Sequence, residues 1–147
     1  MATTSSALMT TSPRSCDLGD RIDHSLRHLH TLPGLNARVI GRAIGVPPAR
    51  VAVTHWLLRH TTVRASVARL RLEAAERILR EQSPTLPKVV MLERAAESAG
   101  FRSTDEMNRA FLRYRHRSGI EVLLSGRVGS SRTAARRLHS YARGHDR

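Results

Sequence analysis

With 147 residues, one cysteine and no run near the roughly 18 apolar residues of a membrane helix, the sequence argues against a disulfide frame or helical membrane span and suits one ordinary domain. Apolar residues make up 40% and aromatics only 3%, so a core must rest on Leu, Ile, Val and Ala, a mixture that favours helices over a sheet. The formal charge of +13 calls for a polyanionic partner, nucleic acid before an anionic membrane surface; the near-exclusive use of arginine, with Lys88 the lone lysine, also reads as coding bias.

Residues 1–20, rich in Ser and Thr, read as a disordered leader without the charged start and apolar block of a secretion signal. Ile22, Leu26 and Leu29 recur at helical spacing until Pro33 and Gly34 intervene. Asn36 is a cap for a second helix with Val39, Ile40, Ala43 and Ile44 on one face, and Gly45 ends it. Pro48 suits the first turn of a third helix running to Arg59, which is expected to bury Val51 and the Leu58 region and to hold Trp56 in or under the core.

Residues 64–81 carry the longest uninterrupted pattern, with Val67, Leu70, Ala74 and Ile78 on one stripe and Leu72, Ala75 and Leu79 beside it. Prolines break it between Ser83 and Lys88; a fifth helix follows from about Val90 to Ser98, ended by Gly100. Ser103-Thr104-Asp105-Glu106 is a capping box for a sixth helix to Arg115, and a short seventh includes Ile120 to Leu124. The expected organisation is an all-α double helix-turn-helix domain over 21–124. Its subunits are 21–63 and 82–124, its linker helix is 64–81, and a basic, flexible tail covers 125–147.

LERAAESAGF, from Leu92 to Phe101, followed by RSTDEMNRAF to Phe111, resembles the second helix-turn-helix of the AraC/XylS transcription regulators. Ala96, Gly100, Phe101, Arg109 and Phe111 stand in that family's register, and both phenylalanines of the chain are among them. RLEAAERIL, from Arg71 to Leu79, is similar to its linker helix, and LNARVIGRAIGVPP, from Leu35 to Pro48, to its first unit. The sequence departs from the pattern where Val53 replaces an arginine and where His60, Thr62 and Val63 replace a glycine and a Ser-Pro pair. Met107 takes an aromatic position, Arg115, His116 and Gly119 take Phe-Gly and Pro positions, and the segment from Leu79 to Leu92 is long. The resemblance implies a diverged, stand-alone DNA-binding domain that places the second helix of each unit in a major groove.

In the second such helix, Thr104, Asp105, Asn108 and Arg109 are the outward candidates. Arg109 is suited to guanine and Asn108 to adenine, while Asp105 can accept from cytosine or orient Arg109. Arg113, Arg115 and Arg117 suit phosphates or a solvated face. In the first, Arg50, Thr54 and Trp56 are the outward candidates, and Ala49, Ala52 and Val53 offer only apolar contact, as to thymine methyl groups. His24 and His28 with Asp20 share a helix face, but no third firm ligand follows, so no metal site is expected. No phosphate-binding glycine loop or nucleophile constellation is visible, so the chain reads as a non-enzyme without cofactor.

The expected partner is double-stranded DNA, with RNA polymerase a candidate protein partner, no membrane partner and no small-molecule effector domain. The expected setting is the bacterial cytoplasm, on the nucleoid. A diverged helical protein-interaction module and a non-specific nucleoid-type DNA binder stay open as alternatives; RNA binding is disfavoured by the lack of aromatic stacking platforms.

Overall fold

The computed structural model describes residues 13–81 and 85–126, and these described residues are all-α. The helices are α1 (Pro13–Leu29), α2 (Ala37–Ile44), α3 (Pro48–Arg59), α4 (Val63–Glu81), α5 (Lys88–Ser98) and α6 (Thr104–Arg115), and residues 119–126 form α7. Residues 1–12 of the expected leader, 127–147 of the expected tail and the start of the proline break lie outside the described residues. The first helix begins well before Ile22, within the stretch read as leader. Its polar run hides one apolar position, Leu18, which lies four residues before Ile22 and is buried with it.

Local chemistry sets the boundaries. The Asn36 side chain accepts the N–H groups of Arg38 and Val39 at 2.9 and 3.2 Å, and Gly45 closes α2 in the left-handed region. Ser103 Oγ accepts the Glu106 N–H at 3.1 Å, while the Glu106 carboxylate reaches one residue further back than a reciprocal box requires, to the Arg102 N–H at 2.7 Å. Ser118 and Glu121 repeat the device at α7, and the hydrogen bonds from Ser118 hold the Glu121 carboxyl below its ordinary range. Both α3 and α6 end on histidines in the left-handed region, His60 at φ 50° and His116 at φ 54°. These are the positions where the family pattern has glycine; the backbone turn is kept at roughly 1 kcal/mol of conformational cost at each.

Two cores share α4. Leu18, Ile22, Leu26, Leu35, Ile40 and Val51 pack with Val63 and Val67 from its first half. Leu72, Ala75 and Leu79 from its second half pack with Met91, Ala95, Ala96, Phe101, Met107, Phe111, Val122 and Leu123. Each unit thus buries its own apolar set, and the linker helix is structural to both.

The units also meet directly. The turn at Gly100 lies against the backbone of Thr31, in the loop between α1 and α2. From α4, Arg71 donates to the carbonyls of His30 and Leu32 in that same loop, at 2.7 and 2.6 Å, with its guanidinium 5.9 Å from the Phe101 ring centroid. Arg115 and Arg117 reach Glu76 of α4 at 3.5 and 3.9 Å, so they brace α6 and the segment after it on the linker. At the other end, His55 of α3 shares a 2.8 Å hydrogen bond with Ser66 of α4, and burial pushes the imidazole below its ordinary value despite nearby Asp23. Asp23 itself is bound by Arg59.

Candidate nucleic-acid interface

Residues of α6 divide by the helical period. Met107 and Phe111 are buried, and Asp105, Arg109, Leu112 and Arg113 face solvent, with Thr104 half-buried at the first position. Arg109 Nε donates to its own helix, to the Asp105 carbonyl at 3.3 Å, and among the described residues its other donors have no hydrogen-bond or ion-pair partner. Asn108 is placed differently. It is half-buried, and its Oδ1 accepts the Gly119 N–H at 3.1 Å, tying α6 to the start of α7.

In α3, Val51 and His55 are the inward residues. Arg50 faces solvent and Thr54 is half-buried. Trp56, expected in or under the core, is 55% exposed, because it lies one residue past His55 and hence about 100° further round the helix. Leu58 likewise does not form the core: its tip rests against Gly19 of α1, and half of the side chain remains in solvent.

A cleft of about 740 Å³ separates the two units, floored by α4 and walled by α6, the residues just before it and the loop 34–36 that leads into α2. Arg64, Arg71, Arg102, Arg109 and Arg113 line it, and Glu106 is the one carboxylate among its lining residues. Arg71 is engaged in the joint described above; the other four arginines belong to no ion pair among the described residues. Like charges held around one open concavity repel one another, and a chain of phosphates relieves that repulsion while keeping its own inter-phosphate spacing.

Sequence reasoning misses Arg64 and Arg102, although a signal exists for both. Arg64 is the second residue of α4 and Arg102 immediately precedes the α6 cap, where the helix dipole disfavours cations. Arg38 in α2 and Arg50 in α3 sit in first turns as well, and α2, α3 and α4 have no acid there to offset them. Cations at helix starts suit an anion that approaches those ends.

Among the described residues no group of three or more His, Cys, Asp or Glu side chains is arranged to hold a metal ion. His24 and His28 stack at 4.0 Å between ring centroids, and His28 Nδ1 donates to the His24 carbonyl. No described helix is long and apolar enough to cross a membrane.

No family model matches the chain, and no curated protein matches it. Solved structures do. The C-terminal domain of AraT, a response regulator from Geobacillus stearothermophilus, is 16% identical with a TM-score of 0.65, over 79% of this chain and 88% of that one. The C-terminal domain of the two-component response regulator YesN from Fusobacterium nucleatum is 13% identical with a TM-score of 0.62, over 73% and 98%. The DNA-binding domain of AdpA, a global transcriptional factor solved in complex with a target DNA, is 17% identical with a TM-score of 0.62, over 76% and 93%. The chain therefore shares its fold, two helix-turn-helix units on one linker helix, with these domains of two response regulators and of AdpA.

Proposed function

We propose that the chain is a sequence-selective DNA-binding transcription regulator of the AraC/XylS kind, a binding protein rather than an enzyme, acting in the bacterial cytoplasm. In this reading α3 and α6 enter successive major grooves on one side of a duplex, and the intervening phosphates seat in the arginine cleft. The cleft is the observation that carries it: four arginines without an ion pair among the described residues surround a concavity, in a fold that AdpA uses on DNA. The dimensions support it. The 19 residues of α4 rise roughly 28 Å, and the flanking helix pairs extend that toward the roughly 34 Å between grooves.

Arg109 is the base-reading residue of α6, suited to a guanine edge, with Asp105 beside it and Thr104 at the helix start. Arg113, Arg64 and Arg102 bind phosphate, as does Arg50 in the first unit, where Thr54 is a minor contact. Asn108 would have to release Gly119 before pairing with adenine through both amide atoms, so its part is chiefly to position α6.

Selection of bound duplexes from a random pool, repeated with two variants, tests this division. Arg109→Ala is expected to relax base preference at one position, at a cost of about 1–3 kcal/mol for the preferred base. Arg64→Ala is expected to weaken all duplexes alike and to reduce the slope of log affinity against log salt by about 1. Unchanged selectivity in Arg109→Ala would remove α6 as the reader.

A further inference from the structure

The outward side of α3 differs in kind from that of α6. Ala49, Val53, Trp56 and Leu57 occupy it, and the last three are 57%, 55% and 58% exposed. They sit opposite the buried Val51 and His55 at helical spacing, so the stripe is a regular outward face and not a core left unfilled. The segment from residue 36 to 62 contains no Asp or Glu, and its Arg38, Arg42 and Arg50 are exposed. An apolar stripe therefore lies in a frame whose own segment carries only cations, Arg59 at its end being paired with Asp23 of α1, and the loop that leads into α2 lines the arginine cleft.

That frame complements a polyanion, and the stripe needs apolar groups carried inside the polyanion. On the base edges of the major groove the only such group is the thymine C5 methyl. The geometry points to α3 reading its half of the DNA site through thymine methyl groups, with Val53 and Leu57 as the contacts and Trp56 beside them. This rests on the DNA-binding reading above and adds what the first unit recognises. The two units then read by different chemistries: hydrogen bonds from α6, shape and methyl contact from α3. The α3 half-site is thymine-rich, and it discriminates thymine from cytosine without any bidentate donor.

The test uses the full chain and its selected duplex. Uracil replaces thymine in one half-site at a time, which removes the methyl and leaves the base pair's donors and acceptors intact. Uracil under α3 is expected to weaken binding about fourfold for each methyl group removed. The same change under α6 is expected to alter it less than about twofold. Val53→Ser and Leu57→Ser, both at exposed positions, should melt as the parent does and should no longer distinguish thymine from uracil. Selective binding that ignores uracil in the α3 half-site would overturn the inference while leaving the DNA reading standing, and would return the stripe to a protein partner or a second copy. An absence of any sequence-selective binding would overturn the DNA reading and this inference with it.

Discussion

Alanine at Gly100 is expected to destabilise the chain by more than about 3 kcal/mol, against roughly 1 kcal/mol for alanine at Gly45, in paired denaturant melts. Both glycines have left-handed backbone, φ 84° at Gly100 and φ 70° at Gly45, so both substitutions carry the same conformational penalty. Their surroundings differ. A Cβ at Gly45 meets nothing within 4 Å, whereas one at Gly100 falls 2.3 Å from the Thr31 carbonyl oxygen and 2.6 Å from its Cα. Those are backbone atoms of another helix connection, and they cannot rotate away as a side chain would. Accommodating the methyl requires the two units to separate at their joint. Equal losses at the two glycines would show that this joint does not hold the units together.

Arg71→Met tests the other half of the same joint and is expected to cost about 3 kcal/mol. Methionine keeps an unbranched apolar stem of similar reach and removes every donor. The carbonyls of His30 and Leu32, which Arg71 satisfies from within a part-buried setting, are then left without their partner. Burial works against the guanidinium's charge, and Glu106 offsets part of that, so the charge is retained for the two hydrogen bonds it makes. Arg71→Lys is expected to recover less than half of the loss, because one ammonium cannot span two carbonyls as the fork does. Melting that matches the parent in Arg71→Met would contradict the joint. For DNA, the same variant is expected to weaken binding to a two-groove site far more than to an isolated half-site, since the joint sets the distance between α3 and α6.

Most helix boundaries are legible in the sequence because their causes are local. Asn36 and Ser103 announce α2 and α6 by their own side chains, Gly45 stops α2 by its own backbone, and the apolar period of α4 is long enough to dominate its neighbours. The register of α3 is not legible. Its sequence, PARVAVTHWLLR, is apolar on nearly every side, so no periodicity distinguishes Val51 from Val53 or His55 from Trp56. Only the packing of α3 on α2, α1 and α4 decides, and it turns a histidine inward and a tryptophan outward.

The joint is hidden for a different reason. Gly100 and Arg71 stand out as family-pattern residues, but Thr31 and the carbonyls they meet are about 40 to 70 positions away in the chain. Long-range pairing also changes the roles of Asn108, Arg115 and Arg117, whose partners lie on α7 and α4. Conversely, Arg64 and Arg102 pass for ordinary surface charge, although cations at helix starts are themselves a signal.

Hydroxyl-radical footprinting of the full chain on its selected duplex tests the central claim most directly. One copy of the chain should protect two blocks on the same face of the DNA, about 10 base pairs apart from centre to centre, with the strand between them also shielded by the arginine cleft. A single protected block, or protection that spreads without register along any duplex, would contradict the account of two recognition helices held by one joint.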